Sequence, residues 1–100
     1  MSKEKLALQP EELEQVAMRF RALGEPMRLR ILQAVCRVPR SVNDIVTAVG
    51  ATQANVSKHL AVLAAAGILT REKAGPCVYY GVKDQLAVKM CKLVHEHLVD

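Results

Sequence analysis

One hundred residues with a hydrophobic share of 51% but only 3% aromatics and no tryptophan describe one small domain. Its core has to come from Leu, Val, Ile, Ala and Met, which suits packed helices better than a β-sandwich. No stretch approaches the ~20 apolar residues of a membrane helix, and three cysteines without a Cys-x-x-Cys pair do not make a disulfide framework. The net charge of +4 favours an anionic partner without naming one.

The opening "MSKEKLALQPEELEQ" carries charges where a secretory leader needs an apolar core, so the chain is expected to work in the cytoplasm with its thiols reduced. Residues 1–9 are expected to be a flexible N-terminus and residues 10–100 the folded domain. Pro10 with Glu11, Glu12 and Glu14 marks a helix start. Leu13, Val16, Ala17, Phe20 and Leu23 form one face of that helix, and Gly24 ends it. Pro26 opens a second helix with Leu29, Ile31, Leu32 and Val35 on its apolar side, closed by Pro39.

Ser41 with Asp44 three residues on resembles a capping arrangement and starts a short helix, Val42 to Val49, closed by Gly50. Thr52 caps the next helix, which stops at Gly67. Two helices with only "GAT" between them predict a helix-turn-helix. After Gly67 the period shortens: "ILTREK" and "CVYYGV" flank "AGP" and predict a hairpin, in which Tyr79 and Tyr80 point to opposite faces. Asp84 to Val99 is helical again. The fold class is therefore mainly α with a β-hairpin wing: a winged helix-turn-helix with an additional helix at each end, and a chain this small is expected to gain burial by dimerising.

The segments "FRALGEPMRLRIL", "QANVSKHLAVLAAAGIL" and "VYYGVKD" resemble successive signatures of the ArsR/SmtB family of bacterial winged-helix repressors, over about residues 10–99. The resemblance implies a homodimer built from the first and last helices. It also implies binding to a double-stranded DNA operator, and release when an inducer binds. The second helix of the pair would enter the major groove, whose base edges are read by short or forked polar side chains. Gln53, Asn55, Ser57, Lys58 and His59 supply such a set, with Ser57 and His59 expected to read bases, Lys58 to meet phosphate and Asn55 open to a structural role in the first turn. Ser41 and Thr52 sit at helix N-termini, where hydroxyls and free N–H groups hold phosphates. Arg71 and Lys73 on the first wing strand, and Arg40 ahead of the helix-turn-helix, are further phosphate contacts. Arg19, Arg21, Arg28 and Arg30 are expected to pack their stems on the surface or pair with glutamates.

The inducer is less legible. Where arsenic and cadmium sensors of the family carry Cys-x-Cys, this chain has "SVNDI". The zinc-type pattern on the last helix is broken, because Leu86 replaces its first His, leaving Asp84, His97 and Asp100 as candidate metal ligands. Asp84 and His97 lie about 20 Å apart along a helix, so only antiparallel copies across a dimer could bring them together. That pairing would set Met90 against the partner's Cys91, with the two Cys91 residues near the two-fold axis. Cys91, Cys36 and Cys77 are the candidate sensor thiols; Cys91 has His95 one turn on, and a single site holding all three is not expected. An arsenical, a metal ion or a thiol-reactive species is the possible inducer. "HEH" at 95–97 is not His-Glu-x-x-His, and no nucleophile elbow, Walker loop or carboxylate pair appears, so no enzyme activity is expected. Two rival readings are a winged helix used for protein–protein contact and a DNA-binding repressor that senses nothing.

Overall fold

The computed structural model describes residues 4–99. The elements follow in the order α1 (Pro10–Leu23), α2 (Pro26–Val35), β1 (Arg40–Ser41), α3 (Val42–Val49), α4 (Gln53–Ala65), β2 (Leu69–Ala74), β3 (Cys77–Val82) and α5 (Leu86–Val99). Residues 1–3 of the expected N-terminal lead-in and the candidate ligand Asp100 lie outside the described residues.

Local chemistry sets most of these boundaries. The Gln9 N–H donates to Glu12 Oε1 at 2.8 Å, tying down the start of α1. Glu25 accepts from the Arg28 N–H at 3.2 Å and caps α2, whose first residue is Pro26. The Ser41 hydroxyl accepts from the Asp44 N–H at 3.1 Å at the head of α3, and the Thr52 hydroxyl from the Asn55 N–H at 3.2 Å at the head of α4. α4 ends in a Schellman arrangement: the Ile68 N–H reaches Leu63 O and the Gly67 N–H reaches Ala64 O, both at 3.0 Å. Gly67 has φ +76°, a left-handed conformation that costs any residue with a Cβ. α5 starts two residues later than the sequence predicts, because Asp84 stands outside the helix and accepts the Leu86 N–H at 2.9 Å.

The sheet has three antiparallel strands in the order β1-β3-β2. The predicted hairpin is present, turning at Gly75 and Pro76. Its companion β1, only two residues long, is an addition: Arg40 pairs with Tyr80 and Ser41 with Tyr79. Gly81 lies where Pro39 crosses the sheet, and a Cβ there would sit 3.0 Å from Pro39 Cγ.

The core is almost wholly aliphatic. Ile31, Leu32 and Val35 of α2, Ile45 of α3, Val56, Leu60 and Leu63 of α4, and Ile68 and Leu69 leading into β2 are buried together, with Tyr80 as their one aromatic neighbour. The sole phenylalanine, Phe20, is 58% exposed. The face marked in the sequence by Leu13, Val16 and Phe20 is exposed, as are Leu86, Leu93, Val94, Leu98 and Val99 of α5. The described residues leave this apolar surface largely uncovered.

Candidate nucleic-acid interface

α3 and α4 are joined by Gly50, Ala51 and Thr52, and Gly50 closes α3 in a left-handed conformation with its N–H on Val46 O at 2.9 Å. α4 presses Val56, Leu60 and Leu63 into the core and turns Gln53, Ala54, Ser57, Lys58, Ala61, Val62 and Ala65 outward. The outward stripe is polar only in its N-terminal half. Recognition helices contact base edges with their N-terminal residues, so polar groups are concentrated at the end that enters a groove. Ala54, not singled out in the sequence, lies one turn before Ser57 and Lys58 and is exposed among them. A methyl group there suits contact with a thymine methyl. Its spacing to Ser57 and Lys58 was the available signal.

Thr52 and Ser41 are found at helix N-termini as expected, and both hydroxyl oxygens accept a backbone N–H there. Each keeps its own O–H free to donate. Asn55 is half-buried in the first turn of α4, which agrees with a structural role.

His59 is a correction. It is 7% exposed and belongs to the buried face of α4, away from the stripe carrying Ser57 and Lys58. Its Nδ1 lies 3.3 Å from an Arg28 guanidinium nitrogen, and its Nε2 lies 3.7 Å from Glu25 Oε2. The ring is thus enclosed and turned away from the exposed stripe, against the expectation that it stands there to read a base. The partners Arg28 and Glu25 were not connected to it by the sequence.

The wing register assigns faces. Arg71 pairs with Tyr80, Lys73 with Val78 and Leu69 with Val82, so both cations extend the face that carries the core residues Leu69 and Tyr80. Glu72 and Tyr79 share the opposite face, with Ser41 beside them. Tyr80 is thus the core tyrosine and Tyr79 the exposed one. Arg71 and Lys73 are exposed towards the tip. Arg40 Nε donates to Ala34 O at 2.7 Å, so its guanidinium closes the end of α2 and offers only its remaining N–H groups to a phosphate.

Two of the three thiols share one groove. Cys36, whose S–H donates to Gln33 O at 3.3 Å, and Cys91 line an open groove of about 360 Å³ between α2 and α5, with Leu29, Gln33, Lys92 and His95. Burial pushes the Cys91 thiol above its ordinary range. Cys77 stands exposed on the wing. Among the described residues, no group of three or more His, Cys, Asp or Glu could hold a metal ion. Asp84 and His97 lie at opposite ends of α5, and the Asp84 carboxylate is engaged as a cap.

A capped helix pair with a polar N-terminal stripe, followed by a hairpin with exposed cations, defines a winged helix-turn-helix DNA-binding domain. No helix among the described residues is long and apolar enough to cross a membrane. The profile of the bacterial regulatory protein arsR family matches residues 25–71, from the cap of α2 into β2. The chain is 30% identical over 88 residues to the transcriptional repressor SmtB homolog of Synechocystis sp., an alignment covering 88% of this chain and 67% of that protein. It is 38% identical over 65 residues to the HTH-type transcriptional repressor SmtB of Mycobacterium tuberculosis, covering 65% of this chain and 48% of that one. The chain thus spans about half to two-thirds of the length of these relatives. Among solved structures, the homodimeric winged helix-turn-helix DNA-binding domain Mb0332 of Mycobacterium bovis superposes with a TM-score of 0.82 at 26% identity, covering 97% of this chain and 90% of that one. The chain belongs to the ArsR family of bacterial transcriptional regulators.

Proposed function

We propose that the chain is a homodimeric repressor that reads an operator with the N-terminal half of α4. The observation that carries this reading is the division of α4 into a buried aliphatic face and an exposed stripe that is polar at its N-terminal end alone. Gln53 and Ser57 read base edges, Lys58 meets phosphate, and the Thr52 and Ser41 hydroxyls donate to the backbone on either side of the turn. Arg71 and Lys73 carry the wing onto the flanking phosphates. The exposed apolar surface of α1 and α5 supports assembly with a second copy, which would bring two recognition helices to half-sites ~34 Å apart. Such a protein works where the chromosome is, in the cytoplasm. The test is a titration of the protein on its own promoter DNA against a scrambled duplex at several salt concentrations. Equal affinity for the two duplexes would refute sequence-specific reading.

A thiol-directed inducer is favoured over a metal by one observation: Cys36 and Cys91 line the same groove, whereas the carboxylate of Asp84 is already engaged at the head of α5. An arsenite molecule meeting both thiols would form two As–S bonds and release two waters. An oxidant would take two electrons and two protons from the pair to join the sulfurs. Either event changes how α5 rests on α2, and α5 carries much of the surface assigned to the partner. Adding arsenite, a mild oxidant or zinc to the DNA complex separates these readings. Release by zinc alone would return the sensing role to the carboxylates and histidines, and release by nothing would leave a repressor that does not sense.

A further inference from the structure

The buried face of α4 holds one polar side chain, His59, whose partners Glu25 and Arg28 lie at the head of α2. His59 Nδ1 is 3.3 Å from an Arg28 Nη1. The same guanidinium donates through Nε to Ala22 O at 2.7 Å and through Nη2 to Arg21 O at 3.2 Å, the carbonyls at the C-terminal end of α1. Glu25 closes the circuit: its carboxylate caps the Arg28 N–H and lies 3.7 Å from His59 Nε2. No fully buried side-chain nitrogen or oxygen among the described residues lacks a hydrogen-bond partner.

The chemistry of this cluster fixes its proton arrangement. A guanidinium can only donate, so Nδ1 has to accept. With Nδ1 as the acceptor, the ring N–H falls to Nε2, which is directed towards the Glu25 carboxylate. Because Arg28 presents a rigid fork, the nitrogen that meets His59 is held by the same plane that holds the α1 carbonyls. The guanidinium thus bridges the end of α1 and the middle of α4.

We propose that Arg28 and His59 are positioning residues that lock the recognition helix to the end of the dimer-forming helix α1, so that operator affinity depends on the geometry of the dimer. This rests on the reading of α4 as the DNA-reading helix and assigns that helix its link to the rest of the assembly. Neither residue touches DNA in this account. His59 sits in the recognition helix but acts through orientation, and Arg28 is a cation whose charge goes to the fold rather than to phosphate.

The experiment compares the parent with His59→Leu, His59→Gln, Arg28→Met and the double variant His59→Leu/Arg28→Met. Binding is measured to operator, to single-base-pair operator variants and to scrambled DNA across salt concentrations. His59→Leu and Arg28→Met are each expected to lower operator affinity by roughly tenfold, as expected when a buried donor or acceptor is left unmatched. Scrambled-DNA affinity and the salt slope should stay at parental values, because no phosphate contact is lost. The double variant should be no worse than either single one, since both remove the same link. His59→Gln, which keeps an acceptor and a donor, should bind within about threefold of the parent.

Additive losses, or a folded His59→Leu that binds operator like the parent, overturn the proposal. So does a loss confined to one base pair, which would make His59 a reading residue. Should the leucine and methionine variants not fold, the ¹⁵N resonances of the His59 ring in the parent decide the matter: a proton on Nδ1 rules out the Arg28 contact. Ser57→Ala and Lys58→Ala run alongside keep the two readings apart. If they too leave operator binding intact, the assignment of α4 fails; if only they lose it, the link alone fails.

Discussion

α4 and α5 are both mostly apolar helices of similar length, yet they meet water very differently. α4 keeps Val56, Leu60 and Leu63 essentially fully buried against α2, α3 and β2, and apart from Val62 its remaining surface is small or polar. α5 buries Ala87 completely, half-covers Val88, Met90 and Cys91, and leaves Leu93 and Leu98 70% and 75% exposed. The difference lies in arrangement. On α4 the large buried apolar side chains form one stripe at i, i+4 and i+7, which one core can cover; on α5 they surround much of the helix, so one chain covers one side and leaves the other. An apolar surface that continues from α1 to α5 marks a contact with another molecule, while a helix with one apolar stripe is free to offer its other face to DNA.

Substitutions at the two helices should separate these roles most sharply. Leu60→Ala removes a side chain enclosed by the core and is expected to cost about 2–5 kcal/mol of unfolding free energy. Leu98→Ala should cost the isolated chain under ~0.5 kcal/mol, as surface changes do. It should instead weaken self-association. Denaturation run at several protein concentrations checks both: the Leu60→Ala loss should appear at every concentration, the Leu98→Ala loss only where dimers form. If Leu98→Ala were as damaging at high dilution as Leu60→Ala, α5 would be core and the contrast would fail.

A second pair of variants tests the wing that flanks α4. Gly81→Ala places a methyl 3.0 Å from Pro39 Cγ and 3.5 Å from Thr70 Oγ1, so the proline ring that leads into β1 has to give way. The expected loss is about 1–3 kcal/mol, in the range for an overpacked interior. Gly67→Ala meets no close atom but must adopt φ +76°, with an expected loss of about 1–2 kcal/mol. Thermal unfolding of the two reports whether crowding or backbone strain dominates at the exit of α4.

On the exposed stripe the effects should leave stability unchanged. Ser57→Ala is expected to reduce operator discrimination by ~1–3 kcal/mol. Lys58→Ala should lower operator and scrambled-DNA affinity together and flatten the salt slope by about one phosphate. Filter-binding or fluorescence titrations at graded salt distinguish these outcomes. A Lys58→Ala protein with an unchanged slope would place that ammonium away from the backbone.

What could be read from the sequence follows the range of the interactions. The helix ends were legible because Pro10, Pro26, Ser41, Thr52 and Gly67 act within one turn of themselves. β1 was not, because two residues become a strand only by pairing with Tyr79 and Tyr80, nearly forty positions on. The place of His59 was in fact encoded: it stands three residues after Val56 and four before Leu63, on the buried stripe. Its polarity pointed outward while its spacing pointed inward, and spacing prevailed because Arg28, distant in sequence, gives the buried ring a polar partner, with Glu25 beside it. The shared groove of Cys36 and Cys91 was likewise hidden, since nothing local brings α2 beside α5.

The smallest expected effects concern those thiols. Burial raises the Cys91 pKa, so at any given pH less of it is thiolate, and the thiolate is the form that attacks an alkylating agent or an oxidant. Labelling at neutral pH should therefore reach the exposed Cys77 first, with Cys91 gaining about tenfold per pH unit until its own pKa is passed. The same shift bears on stability. A thiol held protonated by the fold costs nothing below the ordinary thiol range, and above it the unfolded chain ionises first, so a slight loss of stability should appear as pH rises. Mass spectrometry of timed labelling checks the order, and equal rates at the two sites would show that the groove shields nothing. The pH dependence also separates the two inducers. Oxidation consumes thiolate, so release from DNA by an oxidant should quicken as pH rises. Neutral arsenite exchanging hydroxides for neutral thiols releases only water and no net proton, so its equilibrium should stay level across the same range.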